Sequence, residues 1–296
     1  MYKSGFVAII GRPNVGKSTL MNQILGQKIS IISNTSQTTR NAIKGIYTTD
    51  DLQIIFVDTP GIHKAKNALG EFMNKQSFDS LKDVDCIIWL IDANEAYGSG
   101  DEYLKQQIKD YDLPLIIVFN KMDLIVDNNK FNENKNLFLN DLNYQRIEYI
   151  SSLNNQNIDL LLNDLKEILA EGPKYYDDDQ ITDVYERFII SEIIREKIFY
   201  LTKEEVPHSV AVEIEEIKEY DDLTEIYACI VCEKESQKKI LIGEKASMIK
   251  NIKKFSKIDI KKLLQKQIYL EIFVKVEKDW RNNKTSLSRL GYKNSR

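Results

Sequence analysis

Eight residues near the N-terminus, Gly11-Arg12-Pro13-Asn14-Val15-Gly16-Lys17-Ser18, have the types and spacing of a phosphate-binding loop. Its two glycines let successive backbone N–H groups wrap anionic oxygens, and a helix beginning just beyond adds its positive end. Lys17 is placed to reach β- and γ-phosphates, and the Ser18 hydroxyl, with Thr19 beside it, to hold Mg²⁺. Average composition makes a chance match somewhere in such a chain about one in a hundred, so the loop alone does not decide the chemistry. Asp58-Thr59-Pro60-Gly61 supplies a carboxylate able to bind Mg²⁺ through water and a Gly61 N–H able to contact a γ-phosphate. In Asn120-Lys121-Met122-Asp123, the Asp123 carboxylate can accept from both N1–H and the 2-amino group of guanine. Adenine lacks that donor pair, and sites of this kind reject the analogue by ~10⁴–10⁵. Within the polar stretch 33–41, Thr38-Thr39-Arg40 offers a threonine that completes the Mg²⁺ shell only when a γ-phosphate is present. Thr39 is the candidate, with Thr38 the alternative. Ser151-Ser152-Leu153 can offer backbone N–H groups to guanine O6.

These groups imply GTP hydrolysis, with Lys17, Thr39 and Gly61 around the γ-phosphate. Ile62 follows Gly61, where a Ras-like switch carries a glutamine that orients water. Isoleucine cannot hydrogen-bond water, so the chemistry must rest on phosphate positioning and Mg²⁺, and turnover should be slow.

Such groups must be held at strand ends. Phe6–Ile10, Ile54–Val57, Cys86–Ile91 and Leu115–Phe119 are short and apolar on both faces, as parallel strands covered by helices are. Ala42–Thr49 and Leu52–Val57 flank Asp50-Asp51 and read as an antiparallel hairpin, and Ile147–Ile150 as a sixth strand. Helices are expected at Ser18–Leu25, Gly70–Leu81, Glu102–Asp110 and Ile158–Ala170. The expected fold is α/β, a mainly parallel six-stranded sheet, with the motifs at the carboxyl ends of its strands, where ligands of open α/β sheets bind. Gly172 and Pro173 break the pattern. Residues 1–172 are therefore read as a nucleotide-binding domain, 173–183 as a linker and 184–296 as a second, smaller α+β domain. In the latter, a helix over 183–205 precedes strands over 210–217 and 225–231. A short strand over 239–242, helices over 247–254 and 258–265, and a strand over 268–276 complete it.

The charge is split. Residues 233–296 hold 18 Lys and Arg against 7 Asp and Glu, a net of +11, whereas the whole chain is −4 and residues 1–232 therefore carry −15. Such asymmetry points to a basic module that meets a polyanion. Cys229-Ile-Val-Cys232 falls in a strand-like run that would point the sulfurs to opposite faces, and His63 and His208 lie far from it, so no metal cage is visible. No apolar run reaches the ~18–20 residues of a membrane span. The N-terminus lacks signal-peptide anatomy, which makes the cytoplasm the expected location.

Taken together, the nucleotide motifs resemble those of the translation-factor-related GTPases, and the details resemble the Era family over essentially the whole chain. Those details are Thr38-Thr39-Arg40, Pro173-Lys174-Tyr175-Tyr176, Ile181-Thr182-Asp183, residues 192–197 and Val274-Lys275-Val276-Glu277-Lys278-Asp279-Trp280. The resemblance implies a P-loop GTPase domain, a type II KH domain that binds RNA, and GTP/GDP with Mg²⁺. It also implies a K⁺ beside the phosphates at Asn14, doing the work of an arginine finger. The KH loop falls on Gly243-Glu244-Lys245-Ala246, followed by Ser247, with Lys250, Lys253 and Lys254 as further RNA-binding candidates beside Lys257. Ala246 stands where the second glycine is expected, and Lys253 where relatives carry another. Trp280 and Tyr269 could stack on bases, but packing is the expected role. The implied partner is the 3′ end of small-subunit ribosomal RNA during assembly of the small ribosomal subunit, with the chain acting as a monomer. The alternative is a signalling switch peripheral on the inner face of the membrane. A metabolic kinase is disfavoured by Asn120, Asp123 and the separate basic module.

Overall fold

The computed structural model describes residues 1–31, 39–62 and 65–292. Thr38 and His63 lie outside the described residues, as does most of the polar stretch ahead of Thr39. The chain forms two compact units, Met1–Ala65 with Gly70–Asp183, and Lys66–Leu69 with Val184–Arg296.

In the first unit, strands alternate with helices: β1 (Lys3–Ile10), α1 (Lys17–Leu25), β2 (Ile43–Thr48), β3 (Leu52–Asp58), α2 (Ala68–Asp79), β4 (Cys86–Asp92), α3 (Ser99–Ile108), β5 (Leu115–Asn120), α4 (Asn128–Leu139), β6 (Arg146–Tyr149) and α5 (Ile158–Ile168). The strands make one sheet in the order β2-β3-β1-β4-β5-β6. Every neighbouring pair is parallel except β2 with β3. All residues of β3, β4 and β5 are buried, which is why these strands are apolar at consecutive positions rather than alternating. The carboxyl ends of β1, β3, β4 and β5 consequently share one edge. The helix α4 was not among the expected ones. Its sequence is polar, and only Phe131 and Phe138, two turns apart, are buried. Its start is fixed by the Asp127 side chain, which accepts from the Asn129 and Lys130 N–H groups at 2.9 and 3.1 Å.

Residues 173–183 run beside β2 and β3. Ile46 N–H donates to Ile181 O at 2.9 Å, and Thr182 Oγ1 to Lys44 O at 2.7 Å. Gln53 Oε1 accepts from the Tyr175 and Tyr176 N–H groups at 2.7 and 3.1 Å.

The second unit holds α6 (Glu186–Leu201), β7 (Ala211–Glu219), β8 (Leu223–Cys232), α7 (Glu235–Ile242), α8 (Ser247–Leu264), β9 (Gln267–Val276) and α9 (Lys284–Arg289). Its sheet runs β7-β8-β9, antiparallel then parallel. Two local expectations are corrected. Residues 239–242, read as a short strand, close the helix α7, which starts where Gln237 Oε1 accepts the Glu233 and Lys234 N–H groups at 2.9 Å each. The two helices expected over 247–265 are one continuous helix, α8. No Gly or Pro interrupts it, and buried Ser256 lies between buried Ile252 and Ile260 at four-residue spacing on one face. Trp280 is fully buried, its Nε1–H donating to Ser209 O at 3.0 Å, whereas Tyr269 stays 44% exposed. Among the described residues no helix is long and apolar enough to cross a membrane.

Candidate functional site

Gly11 to Gly16 form the turn between β1 and α1, and Lys17 and Ser18 begin α1. Gly16 has φ 105°, and a Cβ there would lie 2.3 Å from Asn120 Nδ2, so only glycine fits. Lys17 is buried, and its ammonium donates to Gly11 O and Arg12 O at 3.1 and 2.8 Å. Burial pulls its pKa down to about 8, opposed by the charge of Asp58. Arg12 points away from the loop to Asp101 at 3.0 Å and Glu95 at 3.1 Å. Thr59 Oγ1 donates to Ile9 O at 2.9 Å, tying the end of β3 to β1. A Cβ on Gly61 would meet the Pro13 backbone at 3.0 Å, so this glycine lets the loop after β3 lie close to the phosphate loop.

Ser18, Thr39 and Asp58, three separate motifs in the sequence, converge. Ser18 Oγ donates to Asp58 Oδ2 at 2.9 Å and lies 3.0 Å from Thr39 Oγ1. Ser30 Oγ, which sequence reasoning did not single out, donates to the same Asp58 Oδ2 at 2.9 Å. It is aimed there by Asn22, whose side chain binds Ile29 N–H, Ser30 N–H and Ser30 O. The other carboxylate oxygen, Asp58 Oδ1, is buried without a hydrogen-bond partner among the described residues. Burial raises the Asp58 pKa. A divalent cation beside these oxygens would satisfy the orphaned atom and favour the ionised carboxylate. The donor set, two hydroxyls and a carboxylate, suits Mg²⁺. Asn14 occupies the phosphate loop with φ 67°. Ile62 is 3% exposed and belongs to the core, so its side chain plays no part in orienting water.

Asn120 ends β5 and joins two loops. Its Nδ2 donates to Val15 O at 2.8 Å, and its Oδ1 accepts from Ser152 N–H and Ser152 Oγ at 2.9 Å each. Ser152 thus meets the site through Asn120. Ser151 is buried and Leu153 is 77% exposed. Asp123 is exposed just past Lys121, whose φ of 64° turns the chain sharply after β5.

In the second unit, Gly243-Glu244-Lys245-Ala246 links α7 to α8, and Ser247 begins α8. Gly243, Lys245 and Ala246 all have positive φ, at 73°, 51° and 61°. Lys245, Lys250, Lys254 and Lys257 are exposed on this loop and helix. Lys253 differs from them: its ammonium is 2.8 Å from Glu271 and 5.5 Å from the Tyr269 ring centre.

Comparison with known proteins follows the same division. The profile of the 50S ribosome-binding GTPase family matches residues 6–121, and that of the KH domain residues 205–281. GTPase Era of Halothermothrix orenii is 49% identical, with 99% of each chain covered. A crystal structure of Era in complex with MgGDPNP and nucleotides 1506–1542 of 16S ribosomal RNA superposes with TM-score 0.95 at 39% identity, covering 99% of both chains. An Aquifex aeolicus Era bound to GDP and AlF4⁻ gives TM-score 0.94 at 39% identity over 98% of this chain and 99% of that one. Identity of this order along both units, over a nucleotide site assembled as described, places the chain in the Era family of GTPases, enzymes that hydrolyse GTP to GDP and phosphate.

Proposed function

We propose that this chain binds and slowly hydrolyses GTP and couples its nucleotide state to binding of the 3′ end of small-subunit ribosomal RNA in assembly of the small ribosomal subunit. The observation that carries this reading is the likeness, along both units, to the Era held with a guanine nucleotide and 16S ribosomal RNA. Within the chain it is supported by the exposed lysines on the loop and helix after Gly243, the side-chain type that neutralises backbone phosphates.

Each site residue has a role in this reading. Gly11 to Thr19 wrap the phosphates, with Lys17 on the β- and γ-phosphates. Asp123 reads guanine, Asn120 ties its loop to the phosphate loop, and Lys121, Ser151, Ser152 and Leu153 complete the base pocket. Ser18, Thr39 and Asp58 hold Mg²⁺, which supplies charge neutralisation on the phosphates. Gly61 N–H binds the γ-phosphate, and Thr39 reports its presence. Asn14 positions a K⁺. Residues 1–172 act as the GTP-binding domain and 184–296 as the RNA-binding domain, joined by 173–183, in a cytoplasmic monomer.

One observation favours a second reading, peripheral membrane contact. α8 exposes Phe255 and Ile258, 41% and 46%, among Lys254, Lys257 and Lys261, a basic face with apolar groups. Fluorescence anisotropy separates the two. A strand with the 3′ sequence of small-subunit ribosomal RNA should bind more tightly than a scrambled strand, with affinity falling steeply in salt. Equal binding of both strands, together with sedimentation on anionic vesicles, would favour the membrane reading instead.

A further inference from the structure

The guanine loop is braced from outside by a turn that no nucleotide motif includes. The carboxyl end of β4 pairs in register with that of β5, Asp92 opposite Asn120. The Asp92 side chain is 8% exposed, and its Oδ2 takes the Lys121 ammonium at 2.6 Å. Its Oδ1 accepts from Asn94 N–H at 3.0 Å, while Asn94 Nδ2 donates onward to Lys121 O at 3.2 Å. Both the side chain and the carbonyl of Lys121 are therefore gripped by residues 92–94. The turn is itself anchored to α4: Asn134 Nδ2 donates to Glu95 O at 2.8 Å and Asn134 Oδ1 accepts from Tyr97 N–H at 2.8 Å. Glu95 in the same turn holds Arg12 of the phosphate loop at 3.1 Å.

Lys121 lies between Asn120 and Asp123, and its ammonium is drawn sideways to Asp92 at the end of β4. Its four-carbon stem is thereby held between the ends of β5 and β4, an apolar strip on which a flat base can rest. A lysine with no such partner samples many rotamers, and ordering one costs about 1.5–2 kcal/mol. A short charge-assisted bond to a nearly buried carboxylate removes most of that freedom before nucleotide arrives.

Resting on the assignment of Lys121 to the base pocket, we propose that Asp92 is a positioning residue for guanine nucleotide: by pinning Lys121 it preforms the floor of the base site and prolongs the residence of GTP and GDP. Asp92 touches neither the base nor the phosphates and acts only through Lys121.

The test is stopped-flow release of a fluorescent GDP from the full chain, with Asp92→Ala, Asp92→Asn, Lys121→Ala and the Asp92→Ala/Lys121→Ala pair. Loss of the pre-ordering of Lys121 predicts release about ten- to thirtyfold faster in Asp92→Ala. Asp92→Asn, isosteric and still an acceptor, should fall between it and the parent, which separates positioning from misfolding. In steady state the change should fall on KM rather than kcat. In the Lys121→Ala background, adding Asp92→Ala should change release by less than about twofold. Release from Asp92→Ala at the parent rate would overturn the proposal. So would effects of the two substitutions that multiply, since Asp92 would then act by a route that bypasses Lys121.

Discussion

In the proposed site the choice of base rests on Asp123, a single exposed carboxylate. Replacing it by Asn exchanges an acceptor for a donor, which matches xanthine rather than guanine. Asp123→Asn should lose GTP affinity by at least about a hundredfold, from two charge-assisted bonds weakened together, and should turn over XTP in its place. Competition of XTP and GTP for the variant checks this, and an unchanged GTP preference would refute the assignment. Candidates of this kind stand out in a sequence because their types match ligand atoms at fixed spacing. Ser30 and Asp92 do not, because each serves a protein group rather than a ligand: Ser30 the Asp58 carboxylate, Asp92 the Lys121 ammonium. The role of Asp92 depends on which strand ends lie side by side, and that of Ser30 on the path of the loop after α1.

Elements were legible where burial dictates a pattern. β4 and β5 are apolar throughout because both faces are covered, and their ends could be placed from the sequence. α4 escaped because its packed face needs only Phe131 and Phe138. α7 has eight residues and an exposed Ile240, so its run of apolar residues after Lys239 resembled a strand. In the loop between α7 and α8, Ala246 holds φ 61°, a conformation that costs a residue with a Cβ about 1–2 kcal/mol. Ala246→Gly should raise the melting temperature by about 2–4 °C per kcal/mol relieved and should not weaken RNA binding; a lower melting temperature would show that the loop does not carry this strain. Gly243, by contrast, tolerates no side chain, since a Cβ would lie 2.7 Å from Met248 N. Between β6 and α5, burial and then the neighbouring Asp164 push the Glu148 pKa up to about 7. The folded chain thus binds a proton that the unfolded chain releases at lower pH, so this group's contribution to stability declines as pH rises from the ordinary glutamate range through 7. Glu148→Gln, which does not titrate, should gain in melting temperature relative to the parent between pH 5 and pH 8. A constant difference across that range would contradict this sign.

At the scale of the whole molecule, the division of charge agrees with the division of labour. The net −15 of residues 1–232 and +11 of residues 233–296 favour polyanion binding at the basic module, while in the proposed site the nucleotide phosphates would be met locally by backbone N–H groups, Lys17 and Mg²⁺. With Ile62 in the core, no side chain at that position orients water, and in the proposed mechanism acceleration comes from ordering Thr39 and Gly61 and from cations at the phosphates. If RNA binding and GTP turnover belong to one mechanism, GTP turnover by the full chain in KCl must respond to RNA. The rate should be slow alone and rise with a strand ending in the 3′ sequence of small-subunit ribosomal RNA, but not with a scrambled strand. It should also fall when NaCl replaces KCl. A rate indifferent to both strands would contradict the coupling and leave a GTPase whose basic module serves another partner.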